Sequence, residues 1–453
     1  MLKQVWHFAR LIVTLRRFLP ALWPAHTLSV MIHTLSNGLR VVLTWRDSDV
    51  TWCGFAVGAG SRDEQPGHYG LAHFVEHTLF KGTTHRRAWH ILNRMERVGG
   101  ELNAYTTKEE TMIYSIFAGV HLERAIELMA DLVCNSVFPV DELMREKDVV
   151  LEEVASYLDV PSDAIYDDFE DLIFADTAMG HNVLGCEKDL RALTQQHCLD
   201  YLHRLYTPDN MVFFVRGDVD FGKVVKLAQK YMGGYGNQTV NHAMYGMTIE
   251  QQSDYLKARS AKRRSKPLPY SAQNIVIDKD THQAHVMIGG RGFDAYDEKR
   301  TALYLLNDIL GGPGMNSRLN ISLREKRGLV YSVESNITSY TDTGAFCIYF
   351  GCDEHDYKKC IRLVKSELLN LCNKPLSTAV LASAKRQIKG EIGVAADNFE
   401  NTILSAAKCF LHYGKFESQA KLFKRIDNLT AETLQTVAQE VFADDKISTI
   451  IYT

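Results

Sequence analysis

The residues best suited to carry out chemistry in this chain are His73, Glu76 and His77. The apolar residues around them recur at helical spacing, which predicts a mostly buried helix over residues 68–80. Positions i and i+4 share one face of a helix, so the two histidines can offer imidazole nitrogens to one metal ion. Glu76 borders that face, and its carboxylate can reach a water molecule there without being a ligand itself. The spacing therefore indicates metal-assisted general-base chemistry.

A single H-x-x-E-H sequence can also arise by chance, and a pair of core histidines is usually structural. Burying two histidines and a glutamate together is nevertheless costly unless something binds them. The order of the motif is the reverse of H-E-x-x-H, an arrangement that certain zinc peptidases use.

A tetrahedral catalytic zinc needs three protein ligands and one open position, so a third ligand must come from elsewhere. A second predicted helix, over residues 141–159, carries several carboxylates. Glu146 and Glu153 are seven residues apart and share one face, whereas Glu152 points about 100° away from Glu153. Most of these acids are expected to form a solvated face, and their spacing alone leaves the ligand open.

His73, Glu76 and His77, followed by Glu153 within the run VVLEE, resemble the inverzincin peptidases. This family includes pitrilysin, insulin-degrading enzyme and the mitochondrial processing peptidase. The segments LFKGT, which ends at Thr83, and GGELNAYT, which ends at Thr106, are also similar to family sequences. The resemblance covers nearly the whole chain from about residue 33 and indicates a short, two-domain, bacterial-type member.

The resemblance implies one zinc ion per chain, bound by His73, His77 and Glu153, with Glu76 as the general base. Glu146 would match an acid that supports the family's zinc ligands. The implied activity is zinc-dependent cleavage of peptides or unfolded protein segments inside a chamber. The alternative is a non-catalytic structural or peptide-binding subunit, because the family also contains members with eroded motifs.

Further segments imply how substrate would be held. Asn103, Ala104 and Tyr105 lie on a predicted strand whose edge would accept an extended peptide as an added strand. The segment LREKRGLVY resembles a family motif whose Arg and Tyr, seven residues apart, contact substrate and the reacting carbonyl. Here these residues are Arg324 and Tyr331, so Tyr331 is expected to be catalytic as well. A two-domain chain would rebuild the family's four-domain chamber as a homodimer, with Arg324 and Tyr331 acting in trans.

The pattern of strands and helices predicts an α+β fold of two similar domains, each a mostly antiparallel sheet packed with helices. At 453 residues the chain exceeds what one core usually covers. The expected divisions are an appendage over 1–30, a zinc-binding domain over 31–234, a connector over 235–270 and a second domain over 271–453. In the second domain Leu303, Leu306 and Asn307 align with His73, Glu76 and His77. This domain should therefore keep the apolar frame and lack the metal motif.

Composition is that of a globular protein, with 46% hydrophobic and 23% charged residues. The net charge of −4 gives no reason to expect nucleic-acid binding. The basic run of the connector, residues 257–266, is predicted to be a solvated linker, although it could also line an acidic partner surface. The nine cysteines form no C-x-x-C pair and are predicted to be buried free thiols, which favours a reducing compartment.

Residues 1–30 carry basic residues and no acid, and their apolar run is broken by Pro20 and Pro24. This run is too short to be a good membrane span, and no clear signal-peptide pattern is present. A transit peptide, a membrane-surface helix and a leader from a misassigned start codon remain open interpretations. We expect no transmembrane span and a cytoplasmic protein, or an organellar one if the segment is a transit peptide.

Overall fold

Two β-sheets organise the computed structural model, which describes residues 29–236, 244–263 and 270–453. The first sheet has the order β1-β2-β6-β3-β5-β4, and all of its pairings are antiparallel except that of β2 with β6. Its strands are β1 (Ser29–Thr34), β2 (Arg40–Trp45), β3 (Val50–Val57), β4 (Glu101–Thr106), β5 (Thr111–Ala118) and β6 (Met211–Gly217). The accompanying helices are α1 (Leu71–Leu79), α2 (Ala88–Glu96), α3 (Leu122–Asn135), α4 (Val140–Leu158), α5 (Pro161–Ile173), α6 (Glu187–Ala192), α7 (Gln195–Leu205) and α8 (Phe221–Met232).

The second sheet has the order β7-β11-β8-β10-β9, with β7 and β11 parallel and the other pairs antiparallel. Its strands are β7 (Asn274–Ile277), β8 (Ala284–Arg291), β9 (Val330–Ser339), β10 (Gly344–Cys352) and β11 (Ser448–Tyr452). The helices from the connector onward are α9 (Ile249–Arg263), α10 (Arg300–Gly311), α11 (Tyr357–Asn373), α12 (Thr378–Ala395), α13 (Phe399–Tyr413), α14 (Gln419–Asn428) and α15 (Ala431–Val441). The predicted α+β class, with two mostly antiparallel sheets packed with helices, is confirmed.

Each sheet is covered on one face by helices of its own half and on the other face by a helix from the other half. Helix α5, from the first half, packs Ile165 and Phe169 against Met287 and Ile450 of the second sheet. Helix α13, from the second half, contributes Ile403 and other apolar residues to the cluster on the outer face of the first sheet. The two halves therefore exchange one helix each, and both sheets are buried on both faces.

The predicted repeat is visible in matching helix contacts. The ammonium group of Lys147 on α4 donates to the carbonyls of Arg191 and Leu193, at 2.8 and 2.6 Å. Lys385 on α12 makes the same pair of bonds, to the carbonyls of Asp427 and Leu429, at the same two distances. Helices α4 and α12 thus occupy corresponding positions in the two halves.

Helices α6 and α7 are separate, because the Thr194 hydroxyl accepts the His197 N–H and begins a new helix. Two expectations need correction. Strand β1 begins at Ser29, inside the predicted appendage; residues 1–28 lie outside the described residues. One of the nine cysteines, Cys186, is exposed rather than buried.

The connector is not only a solvated linker, because it contains the 15-residue helix α9. The helix docks mainly through polar groups: Gln252 donates to the Thr34 hydroxyl, and the Ser260 hydroxyl donates to the Thr341 carbonyl. Its buried side chains include Leu256, but it lacks the apolar periodicity that would have predicted a packed helix. The end of the basic run, residues 264–266, lies outside the described residues.

Buried ion pairs also join the two halves. Arg62 binds Asp342 through two bonds of 2.8 Å, and Glu109 accepts the backbone N–H of Thr341 at 2.7 Å. No helix of the described ranges has the length and apolar character needed to cross a membrane.

Glu110 provides a test of this interface. Its carboxylate contacts Lys408 and His412 of α13, at 2.5 and 3.2 Å. Burial alone would raise the Glu110 pKa, but His412 and Lys408 lower it to about 2. Because the folded-state pKa lies below the ordinary value, the stabilisation is complete above about pH 4.5 and is lost as the pH falls towards 2.

We therefore expect Glu110→Gln to lower the free energy of unfolding at pH 7 by about 3 kcal/mol and to weaken its acid dependence between about pH 5 and 2. Urea denaturation at several pH values measures both effects. The matched control is Glu123→Gln, which removes an exposed pair with Lys230 and should change stability little. Equal stability of the Glu110 variant and the wild type at pH 7 would contradict the assignment.

Candidate metal centre

Helix α1 carries the motif, and its first turn is held by a buried carboxylate. Glu64 accepts the backbone N–H groups of Gly70 and Ala72 at 3.0 and 2.7 Å, and its carboxylate lies 3.1 Å from the His181 imidazole. Gly70 precedes the helix with a φ of 91°, which favours glycine. A side chain there would also meet the Leu184 carbonyl at 2.6 Å. Neither Glu64 nor His181 was expected from the sequence, because their roles depend on a contact between distant parts of the chain.

The predicted ligands converge. The rings of His73 and His77 have centroids 4.5 Å apart on α1. The Glu153 carboxylate of α4 lies 3.7 Å from His73 Nε2 and 3.3 Å from His77 Nε2. One ligand atom from each residue falls within 4.8 Å of the others. The structure thus selects Glu153 from the acids of α4 as the third member of the set.

Glu146 lies beneath this set and orients one histidine. Its carboxylate is 3.0 Å from His77 Nδ1 and 2.5 Å from the Lys81 ammonium group. A hydrogen bond at Nδ1 fixes the ring and leaves Nε2 facing Glu153, which is the role of an outer-sphere carboxylate in metal sites. The expected position of Glu146 is therefore observed, and Lys81 is a further member that sequence reasoning did not assign.

The protonation of the two histidines is set by their surroundings. Burial and the neighbouring His77 lower the pKa of His73 to about 3, so its imidazole is neutral at pH 7 and keeps a lone pair for a ligand. Burial alone would lower the pKa of His77, but the hydrogen bond to Glu146 and the nearby Glu153 raise it. Burial also raises the pKa of Glu76, an effect that Thr106 and His77 oppose.

These residues fit a zinc ion. Two imidazoles and one carboxylate form a donor set that zinc prefers, and three protein ligands leave one position open. Glu76 is 8% exposed, and its Oε2 has no hydrogen-bond partner within the described ranges. A buried carboxylate oxygen without a partner is costly, so this atom requires a partner that the polypeptide does not supply.

The predicted substrate strand lies where an extended peptide could add to the sheet. Strand β4, with Asn103, Ala104 and Tyr105, is at the end of the first sheet and pairs only with β5 among the described strands. The Tyr105 ring faces α13, with the Lys408 ammonium group 5.5 Å from its centroid. The strand therefore offers a free backbone edge, while Tyr105 contributes to the interface between the halves.

Arg324 and Tyr331 lie together, away from the ligand set. The Arg324 guanidinium is 6.0 Å from the centre of the Tyr331 ring. Tyr331 is 88% exposed on β9, one of the two edge strands of the second sheet. Because its ring is almost entirely in solvent, it is not packed against His73, Glu76 or His77 within this chain.

The second half has the corresponding helices without the ligands. Leu303 and Leu306 are buried in its core, and the Asn307 amide donates to the Ser335 carbonyl at 2.9 Å. If Lys385 corresponds to Lys147, the position of Glu153 is taken by Glu391. The expectation that this half lacks the metal motif agrees with these contacts.

Comparison with known proteins identifies the family. Residues 40–187 match the model of insulinase, peptidase family M16, and residues 192–388 match that of the M16 peptidase inactive domain. A chain of Mycobacterium leprae described as an uncharacterised zinc protease is 33% identical over 424 residues, which are 92% of this chain and 90% of the relative. The chain belongs to peptidase family M16.

Two further proteins are similar to this chain over most of its length. An uncharacterised zinc protease of Bacillus subtilis is 29% identical over 91% of this chain and 96% of its own. The crystal structure of a protease from Helicobacter pylori has a TM-score of 0.81 and 23% identity, covering 94% of this chain and 100% of that one. The predicted relationship to pitrilysin-type and insulinase-type peptidases is therefore confirmed.

The metal centre yields a prediction about zinc binding by this M16 chain. We expect one zinc ion per chain. Glu76→Gln should retain it and Glu153→Gln should lose most of the affinity, because of these two glutamates only Glu153 belongs to the predicted ligand set. Glu146→Gln should weaken binding by roughly ten- to a hundredfold, since it disturbs only the orientation of His77. Metal analysis and competition with a zinc chelator measure these changes. Two tightly bound ions per chain, or undiminished affinity in Glu153→Gln, would contradict the ligand assignment.

Proposed function

We propose that the chain is a zinc-dependent endopeptidase that cleaves extended peptides or unfolded protein segments. The observation that carries this proposal is the convergence of His73, His77 and Glu153 beside the buried carboxylate of Glu76. The free edge of β4 supports it, because Thr106 at the end of that strand interacts with Glu76. A peptide added to β4 would therefore bring a backbone carbonyl close to the general base.

Each residue has a defined task in this proposal. A bound zinc ion would supply Lewis acidity, activating a water molecule and polarising the scissile carbonyl. Glu76 accepts the proton of the attacking water and then delivers it to the leaving amine. A raised pKa makes the Glu76 carboxylate a stronger base, which favours the first of these transfers. The Tyr331 hydroxyl donates a hydrogen bond to the oxyanion, and Arg324 holds the peptide.

Tyr331 and Arg324 would reach the site from a second copy of the chain. Both lie in the second half, and Tyr331 is exposed on a free edge strand. A homodimer with a two-fold axis would set β9 of each copy opposite the metal centre of the other and enclose the peptide in a chamber. The substrate would then be limited to chains flexible enough to enter.

The competing proposal is a non-catalytic, structural or peptide-binding subunit. It is disfavoured because all four residues of the centre are present and Glu76 is buried beside the ligands. All nine cysteines are unpaired, which supports a reducing compartment such as the cytoplasm.

The activity is tested with an unstructured fluorescent peptide. We expect zinc-loaded protein to cleave it, a chelator to stop cleavage, and Glu76→Gln to lower kcat by at least about a hundredfold, because proton transfer is lost while zinc remains. Near-native turnover by the Glu76→Gln variant would show that Glu76 is not the general base. Absence of cleavage by the zinc-loaded wild type would favour the non-catalytic alternative.

Complementation tests the homodimer. Chains with Glu76→Gln and chains with Tyr331→Phe are each expected to be inactive, and mixing them under subunit exchange should restore activity. Some mixed dimers would contain one site with both groups intact. If Tyr331 acts within its own chain, every site remains damaged, so the absence of recovery despite confirmed exchange would rule out action in trans.

A further inference from the structure

A groove rich in arginine runs along the outer face of α2. Its volume is about 310 Å³, and the side chains that line it include Trp89 and Arg94 of α2 and Arg86, which lies just before α2. Arg97, just after α2, and Arg124 of α3 complete its basic wall. A volume near 300 Å³ is at the lower end of the range for ligand-binding clefts. The groove belongs neither to the metal centre nor to the edge of β4.

The cationic groups of this arginine groove are only partly neutralised. Glu127 binds both Arg86 and Arg94, and the remaining contact of Arg86 is with Asp131. Arg97 and Arg124 have no carboxylate within 4 Å in the part of the chain that the structure describes. Burial is the main cause of a lowered pKa of Arg124, and the charges of Arg94 and Arg97 lower it further, while Glu127 opposes the shift. The groove therefore carries excess positive charge.

Two features indicate that this charge is arranged to receive a partner. The Nε–H group of Arg94 is buried and has no acceptor among the described residues. The indole ring of Trp89 is 64% exposed beside the arginines, although a large aromatic surface in water is unfavourable. Exposed Trp and Arg together are typical of residues that dominate binding interfaces.

The groove comes near one end of the proposed substrate strand, because its lining residue Arg97 lies in the turn between α2 and β4. Thr106, at the C-terminal end of β4, interacts with Glu76, whereas Glu101 is the other end of the strand. The distance along the strand from Glu101 to Thr106, which are five residues apart, is about 17 Å. Arg97 precedes Glu101 by four residues, so their Cα atoms are at most about 15 Å apart. A peptide that adds to β4 and extends beyond Glu101 therefore leaves the strand at the end that is near Arg97.

We propose that the arginine groove binds an acidic segment of the polypeptide substrate, about six to nine residues from the scissile bond. This inference rests on the proposed endopeptidase function and adds a substrate class to it. Guanidinium groups match carboxylates in shape and charge and bind them through paired hydrogen bonds. An acidic segment would neutralise Arg97 and Arg124 and could cover Trp89 with its apolar atoms.

The test uses a neutral fluorescent peptide core that carries a block of glutamates on one side or the other of the cleaved bond. The block lies two to five residues from that bond in one series of peptides and six to nine residues from it in the other. Matched peptides carry glutamines instead. The proteins are the zinc-loaded wild type, the double variant Arg97→Glu/Arg124→Glu and the control Arg87→Glu. Arg87 is exposed at the start of the same helix and does not line the groove. Arg97→Glu alone replaces the double variant if the latter does not fold.

For the wild type we expect kcat/KM to be about tenfold higher for the glutamate peptide than for the matched glutamine peptide when the block lies six to nine residues from the cleaved bond on one side. The ratio should be smaller when the block lies two to five residues from that bond. The ratio should fall towards one in the double variant and in about 0.5 M salt, but persist in Arg87→Glu. A ratio of one in the wild type, or an unchanged ratio in the double variant, would overturn the inference. Calorimetric binding of tripolyphosphate to the groove without a glutamate preference would also overturn it, in favour of a small phosphate ligand. Failure to cleave even the glutamine peptides would instead contradict the endopeptidase proposal.

Discussion

The structure depends on one constraint: both sheets are apolar on two faces, and in each sheet one of these faces is covered by a helix from the other half. Helices α5 and α13 satisfy it by crossing to the sheet of the other half, where Phe169 and Ile403 enter clusters that their own half does not form. Burying each such side chain contributes about 1.5–3 kcal/mol, so separating the halves would expose both clusters at once. The exchanged helices cover the faces of the sheets and not their edges, so β4 and β9 remain edge strands to which another strand could be added.

Helix α1, which carries the candidate metal centre, packs on the face of the first sheet opposite to the face that α13 covers. The candidate centre has its own energetic cost. Placing His73 and Glu76 in a buried helix removes their polar atoms from water, which destabilises the fold unless other groups compensate. Glu64 compensates in part by binding the first backbone N–H groups of α1, and Glu146 by binding His77. Oε2 of Glu76 has no hydrogen-bond partner among the described residues, so the burial of this carboxylate lowers the stability of the fold, a cost that is common at functional sites.

Sequence patterns predicted the parts of this arrangement that are local. The strand that carries Asn103, Ala104 and Tyr105 was predicted, and α1 and α4 were predicted from their apolar periodicity. The spacing of Glu146 and Glu153 placed them on one face, but only the resemblance to a family, and then the contact with both histidines, distinguished the ligand. Glu64 with His181, and the exchange of α5 and α13, could not be predicted, because they join residues more than a hundred positions apart. Helix α9 was missed because polar contacts such as that of Ser260 with Thr341 hold it in place.

The repeat suggests why the two halves differ in chemistry. Corresponding lysines, Lys147 and Lys385, anchor α4 and α12 in the same way, so the frame that positions a third ligand exists in both halves. In the second half Leu303 and Leu306 fill the space with apolar side chains, which stabilises the core and removes the cost of buried polar groups. In this half Tyr331 is exposed on the edge strand β9, and Arg324 lies just before that strand. The two halves thus share one frame but differ in polarity, because the first half buries polar groups where the second half packs apolar side chains.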